Sequence, residues 1–181
     1  MMAANDRANR CSAALLAVVL CASFPGPLMA QSDNRARIAA SGAIDAELEI
    51  ADTADSASDG LVGVSCTPGA GGMQAMVHIS TIPQGQGFGI KLQLRLPGEA
   101  PSGNYPLSSH GMKGSVRATL AVTHAGKRPM VLVRGGGLEL RTLEPGYAGQ
   151  FRIEAVLLSD GQQPLLLQGD FHASRVAGAC P

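Results

Sequence analysis

Residues 88–96 (FGIKLQLRL) decide the fold that the sequence predicts. Apolar and polar side chains alternate here with a period of two, which places successive residues on opposite faces of an extended strand. The apolar face consists of Phe88, Ile90, Leu92, Leu94 and Leu96, and the polar face of Lys91, Gln93 and Arg95. The stretch therefore predicts a strand with one face buried and the other exposed to solvent.

Similar β-prone stretches recur on both sides of this strand. They occupy residues 42–50, 61–66, 73–79, 116–123, 130–134, 138–143, 150–158 and 165–172, with Gly- and Pro-containing turns between them. Residues 97–106 (PGEAPSGNYP) hold three prolines and two glycines and are predicted to form a loop. The pattern predicts an all-β fold of about eight strands with little helix, either an antiparallel β-sandwich or a small up-and-down barrel.

Length and composition indicate one globular domain. The chain has 181 residues, of which 45% are hydrophobic and 15% charged, enough apolar material for one core and too little charge for a disordered chain. Fourteen basic side chains balance fourteen acidic ones, whereas a nucleic-acid-binding domain usually carries a basic excess. No nucleic-acid partner is therefore predicted.

The first part of the chain has the features of an export signal. Arg7 and Arg10 precede an uncharged apolar run at residues 11–24, and residues 25–27 (PGP) interrupt it before Ala30. The run has about 14 residues where a membrane span needs about 20, which favours a cleaved signal over an anchor, and no later stretch is long and apolar enough to span. We predict a signal peptide over residues 1–30, cleavage after Ala30 and a periplasmic or extracellular location.

The remaining chain is predicted to form a polar, flexible leader at residues 31–41 and a single β domain at residues 42–181. Only Cys66 and Cys180 remain after cleavage, and an even pair in an oxidising compartment favours a disulfide over a metal or nucleophile site. Closing so long a loop would stabilise the fold by about 4 to 5 kcal/mol in the chain-entropy model.

Catalytic, cofactor and metal motifs do not stand out in the sequence. Neither Gly-x-Ser-x-Gly nor Ser-x-x-Lys occurs, and the four histidines lack zinc-ligand spacing. Ser65, Ser80 or Ser115 could form a triad with His110 and Asp170, but a chain of this size offers such sets by chance. We therefore predict a non-enzymatic protein without a cofactor or a metal.

Charge is distributed unevenly along the chain. Residues 31–60 hold two basic and seven acidic side chains, whereas residues 91–134 hold seven basic and one acidic. If the strands that carry Lys91, Arg95 and Arg117 are neighbours, these side chains form a basic patch able to attract an acidic protein, a wall polymer or a lipid headgroup. The alternative is internal neutralisation of Lys91 and Arg95 by a face composed of Asp45, Glu47 and Glu49.

Together these features predict an exported domain that acts by binding. The first hypothesis is a partner at the envelope or among secreted proteins, including an inhibitor or immunity-type role against a wall-degrading enzyme. The alternative is a barrel that carries a small apolar ligand in its interior. The third is a small hydrolase without a recognisable motif, which requires a histidine within hydrogen-bond reach of a serine or a carboxylate.

Overall fold

The computed structural model describes residues 34–51, 60–69, 72–81, 87–97, 100–144, 146–158 and 161–174. All of them belong to one compact unit, Gln31–Pro181. The described residues form ten β-strands, and no helix is present among them, which confirms the predicted all-β class. The predicted signal peptide, its cleavage point and Cys180 lie outside the described residues. The signal peptide and its cleavage after Ala30 therefore remain predictions.

The ten strands form one sheet. Their bounds are β1 Arg35–Gly42, β2 Ala46–Ala51, β3 Gly60–Gly69, β4 Gly72–Thr81, β5 Gly89–Arg95, β6 Gly103–Ser108, β7 Val116–Thr123, β8 Val131–Leu143, β9 Gly146–Leu157 and β10 Gln163–Ser174. Across the sheet they follow the order β2-β1-β10-β9-β8-β6-β7-β5-β4-β3. Neighbouring strands are antiparallel except for β6 and β7, which are parallel. The prediction of about eight strands was short by two.

The sheet curls until its two ends approach each other. The edge strand β3 contacts β2 and β10, which lie at the opposite end of the strand order, so the sheet is a nearly closed barrel. Its largest fully buried side chains are Ile79, Leu92, Leu94, Leu96, Leu138, Leu140, Ile153, Leu165, Leu167, Val62, Val77 and Val116. This single curled sheet is closer to the predicted barrel than to two stacked sheets.

Strand β1 corrects the prediction of a flexible leader over residues 31–41. Ala36, Ile38 and Ala40 are buried while Arg35 and Arg37 are exposed, so the strand alternates like the others. It pairs with β10 on one side and with β2 on the other, which makes it an internal strand of the sheet. Two of its three inward residues are alanines, whose weak hydrophobicity hid the period-two pattern.

Strand β6 corrects the prediction of a loop over residues 97–106. Residues 103–106 pair with β8, and the parallel pairing with β7 involves only Leu107 and Ser108. Pro106 therefore has a partner strand on one side only, an edge-like position where the missing N–H of proline is tolerated. Pro106 lies inside a continuous strand, at the point where the partner of β6 changes from β8 to β7.

Strand β8 joins two stretches that were predicted separately at residues 130–134 and 138–143. The register shifts at Arg134, a β-bulge between Val133 and Gly135, and the three glycines that follow stay paired with β9 and do not form a turn. Gly136 has a φ of +141°, and a Cβ at this position would collide with the carbonyl oxygen of Arg152. Glycine is thus needed at Gly136 so that β8 can bend while remaining paired with β9.

Candidate functional site

Lys91, Arg95 and Arg117 lie on the same outer surface of the barrel, which we call the basic face. Strands β5 and β7 are antiparallel neighbours, and Arg95 and Arg117 are directly opposite each other in their register. Burial alternates along both strands, so the apolar residues point into the core and these three side chains point outward. The structure therefore brings together the three residues of the predicted basic patch.

The cations of the basic face have no acidic partner among the described residues. The ion pairs among the described residues are Arg37–Glu49 at 3.1 Å, Arg141–Glu139 at 3.1 Å and Arg152–Glu154 at 3.4 Å. All of them belong to β1, β2, β8 and β9. Strand β2 is not a neighbour of β5 in the sheet, so Glu47 and Glu49 do not neutralise Lys91 and Arg95 as the alternative interpretation required.

A groove of about 520 Å³ lies at one end of the basic face. Arg95 and Arg117 line it from the sheet, and His110 and Lys113 line it from the connection between β6 and β7. We call it the β6–β7 groove. Lys113 is one of the basic residues of segment 91–134. The sequence does not show that Lys113 and His110 lie beside the two arginines, because this depends on the path that residues 109–115 take over the sheet.

The connection over residues 109–115 is held by two buried serines. The Ser108 hydroxyl oxygen accepts a hydrogen bond from the Gly111 N–H at 2.9 Å. The Ser115 hydroxyl donates to the Met112 carbonyl at 2.7 Å, and the Ser115 N–H donates to the same carbonyl at 2.9 Å. The two hydroxyl oxygens are 3.2 Å apart. Buried hydroxyls that satisfy one another and the local backbone fix the path of this connection.

Ser65 and His78 form a second polar feature, on β3 and β4. The Ser65 Oγ lies 2.6 Å from Nε2 of His78, and the side-chain nitrogen of Gln93 lies 3.4 Å from Nδ1 of the same ring. Burial, and to a lesser extent the positive charge of Lys91, lower the pKa of His78 below its ordinary value. The neutral imidazole is therefore favoured, as a proton acceptor for a serine requires.

The triads considered from the sequence do not assemble. Ser65 contacts His78 and not His110, and Ser115 bonds to the backbone of its own connection. Asp170 lines a different groove, of about 780 Å³, across β6, β8, β9 and β10. The Ser65–His78 contact was missed because it joins two strands whose relative register cannot be read from the sequence.

The larger groove differs from the basic face in its electrostatics. Its polar side chains are Asn104, Glu139, Gln150, Arg152, Gln168 and Asp170. Glu139 and Arg152 are already ion-paired with neighbours on their own strands. Apart from Asp170, the groove therefore presents amides and paired charges, which are typical of a solvated sheet surface.

Cys66 lies on β3, where it packs partly buried against the core. Because Cys180 lies outside the described residues, the Cys66–Cys180 disulfide stays a prediction. Among the described residues, no His, Cys, Asp and Glu side chains form a group of three or more that could hold a metal ion. That part of the chain also contains no helix with the length and apolar character needed to cross a bilayer.

Comparisons with protein-family models, curated proteins and solved structures give no match to this chain. Any assignment of function therefore depends on the chemistry of the side chains themselves. Two arrangements have distinct chemistry: a set of uncompensated cations beside a groove, and a serine–histidine contact on the same sheet.

Proposed function

We propose that this protein is an exported binding domain that holds an anionic component of the cell envelope against its basic face. One observation carries the proposal: Arg95 and Arg117 face each other across neighbouring strands, with no carboxylate of the described residues beside them. Uncompensated cations on one face create a positive potential that attracts anions and orients them before contact.

The packing of the interior favours this proposal over a ligand carrier. Four inward side chains at the centre of β4 and β5 are 0% accessible: Val77, Ile79, Leu92 and Leu94. A side chain that lined a water-sized or larger void would retain accessible area, and these have none. A partner is therefore expected on the outside of the barrel, where the unpaired charges lie.

Charge reversal tests the proposal. The substitutions Lys91→Glu, Arg95→Glu and Arg117→Glu, made together, are expected to weaken binding to poly-L-glutamate and to phosphatidylglycerol vesicles at least about tenfold. Tenfold corresponds to about 1.4 kcal/mol, and a charge contact at 4 Å contributes about 1 kcal/mol even in water. Fluorescence anisotropy and vesicle sedimentation measure the two affinities.

The matched control changes the net charge equally at another place. Arg37→Glu, Arg141→Glu and Arg152→Glu alter exposed arginines on β1, β8 and β9, whose surface ion pairs contribute little to stability. This variant is expected to keep more of the binding than the basic-face variant. Equal losses in the two variants would mean that net charge alone determines binding and would contradict the proposal.

Export is part of the proposal and has its own test. Mass mapping of the protein recovered from the exporting cell, without reduction, is expected to show a chain that begins at Gln31 and a peptide that links Cys66 to Cys180. An intact residue 1–30 segment, or both thiols free, would place the protein in another compartment.

A serine hydrolase is the second candidate, because of the Ser65–His78 contact of 2.6 Å. With the Gln93 nitrogen facing Nδ1, the ring proton lies on Nε2 and Ser65 is the acceptor, which is the wrong tautomer for a general base. Rotating the Gln93 amide by half a turn would let its oxygen accept from Nδ1 and reverse that arrangement.

Covalent labelling by a fluorophosphonate tests the hydrolase candidate. Its reaction with Ser65 displaces fluoride and forms a serine–phosphorus bond, while His78 takes the serine proton. Labelling that disappears in Ser65→Ala and persists in Ser80→Ala would support catalysis. Absence of labelling in the native protein would leave the Ser65–His78 pair as a structural hydrogen bond.

A further inference from the structure

We infer that the β6–β7 groove is a binding site for a phosphate monoester group. This inference rests on the proposed function, since it names the anion that one end of the basic face would hold. Four basic side chains line the groove: Arg95, His110, Lys113 and Arg117. None of them is ion-paired within the described part of the chain.

The number and types of donor favour a phosphate group over a carboxylate. A guanidinium presents a planar fork of N–H groups that matches two phosphate oxygens, and an ammonium adds a point charge. A phosphate monoester carries about −1.5 to −2 charges near neutral pH, so it can use several cations at once. A single carboxylate has one charge and two oxygens, which leaves part of this set unpaired.

His110 is oriented toward the same task. The Ser109 hydroxyl lies 2.7 Å from Nδ1 of His110. When this hydroxyl donates to Nδ1, the ring proton lies on Nε2, which becomes a donor for an oxygen in the groove. The imidazole would then contribute a hydrogen bond, and the two arginines and Lys113 would contribute charge.

The connection that carries His110 and Lys113 is shaped before any ligand binds. Gly111 has a φ of +69°, a conformation that glycine adopts readily and other residues rarely do. A Cβ built on Gly111 would lie 3.4 Å from Cβ and 3.6 Å from Cδ of Arg117, so the connection lies directly on the stem of this arginine. A connection fixed by Ser108 and Ser115 therefore also limits where the Arg117 guanidinium can be.

The rim of the groove would accommodate the organic part of the ester. Met112 and Pro97 contribute apolar surface beside the basic side chains, and Met112 is 66% exposed. An apolar rim beside a cationic floor suits a phosphate attached to a carbon chain better than a free ion. The chemistry is shared by soluble phosphate esters and by lipid phosphates.

Calorimetric titration of the purified protein tests the site with defined probes. Glycerol 3-phosphate is expected to bind at least about tenfold more tightly than acetate. Phosphatidic acid vesicles then separate the two sources of the phosphate group. Tighter binding to the vesicles than to glycerol 3-phosphate identifies a lipid phosphate, and the reverse order or equal affinities identify a soluble ester. Inorganic phosphate, which lacks the organic part, serves as the reference for the phosphate group alone. Binding of glycerol 3-phosphate no tighter than that of acetate would overturn the inference.

Matched variants locate the site. Lys113→Ala is expected to lower the affinity for glycerol 3-phosphate about fivefold or more, whereas Lys127→Ala, which removes the same charge from the exposed turn after β7, leaves it unchanged. Gly111→Ala keeps all four basic side chains but strains the connection, so it should also weaken phosphate binding. Equal effects of Lys113→Ala and Lys127→Ala would overturn the inference, even if Gly111→Ala did not fold.

Binding to poly-L-glutamate separates this inference from the proposed function. Lys113→Ala leaves Lys91, Arg95 and Arg117 in place, so it is expected to retain most of the polyglutamate binding. A native protein that binds polyglutamate but not glycerol 3-phosphate would refute the phosphate site and leave the proposed function standing. A native protein that binds neither would refute both.

Discussion

Replacing Gly169 by alanine is expected to destabilise the barrel, because β10 is packed closely against its neighbours at this position. In the register of β9 and β10, Gly169 lies opposite Phe151 and Gly149 lies opposite Phe171. Each phenylalanine therefore occupies space beside a residue without a side chain. A Cβ on Gly169 would lie 2.9 Å from Cζ of Phe151 and would also collide with the carbonyl oxygen of Arg37.

The size of the effect follows from what must move. Ordinary contact begins at 3.4 Å, so the ring of Phe151 would have to retreat by about 0.5 Å within a packed core. Overpacking of this kind costs about 1 to 3 kcal/mol. The collision with the Arg37 carbonyl involves backbone of β1, and weakening one interstrand hydrogen bond there costs about 1 kcal/mol more. We expect a total loss of about 2 to 4 kcal/mol.

Urea unfolding followed by circular dichroism measures this loss, and Gly137 supplies the control. Gly137 lies on β8, separated from β10 by β9, its φ is not positive, and an added Cβ meets no heavy atom within 4 Å. Gly137→Ala should therefore change stability by less than about 1 kcal/mol, and in the stabilising direction if the unfolded chain loses freedom. Equal stability of the two variants would refute the reasoning.

Gly149 shows the same two kinds of close contact, with a phenylalanine ring and with a backbone carbonyl, and a double-mutant cycle at Gly169 separates their contributions to the loss of stability. On Gly149, a Cβ would lie 3.0 Å from Cε1 and Cζ of Phe171 and 2.7 Å from the carbonyl oxygen of Glu139. A double-mutant cycle of Gly169→Ala with Phe151→Leu should show a favourable coupling, because the shorter side chain removes the Cζ contact. Additive effects would assign the cost to the backbone of β1 alone.

Three other contacts of the sheet give outcomes of different kinds. Asn34→Ala should cost about 1 to 3 kcal/mol in urea unfolding, since the Asn34 side-chain oxygen accepts a 2.6 Å hydrogen bond from a backbone N–H at the end of β10. Gly136→Ala should unfold at lower urea than Gly135→Ala, because only Gly136 has a positive φ and a carbonyl in the way. In NMR titrations, Lys91→Ala should raise the pKa of His78 only part of the way to its ordinary value, because burial is the larger cause. As the folded protein holds this proton less tightly than the unfolded chain, stability should fall as pH decreases below 6.5, and His78→Asn should remove that part of the pH dependence.

The strands that were predicted correctly are those with large inward side chains. In β5 the apolar series that includes Ile90, Leu92 and Leu94 made the period of two unmistakable, and these residues are buried. In β1, small inward residues gave no comparable signal. In β6 and β8, Pro106 and the glycines around Gly136 suggested breaks where the chain forms an edge-like strand and a bulge. Local sequence shows that the backbone is special at such points but does not show how its neighbours accommodate it.

The candidate site was predictable only in part, for a related reason. Alternation along β5 and β7 establishes that Lys91, Arg95 and Arg117 point away from the core. It does not establish that the two strands are neighbours, because β6 lies between them in sequence but on the other side of β7 in the sheet. The positions of His110 and Lys113 depend on this topology, which long-range packing determines.

The register of the sheet supplies the physical reason for regarding the basic face as functional. Arg37 on β1 lies directly opposite Glu49 on β2, the arrangement that stabilises a pair of exposed strands. On β5 and β7 the corresponding positions hold Arg95 and Arg117, and like charges directly opposite each other are destabilising. A surface shaped only for solubility would gain by placing an acid at one of them. An anion bound between the two arginines would replace that repulsion with attraction, so the same pair that weakens the free sheet would strengthen the occupied one.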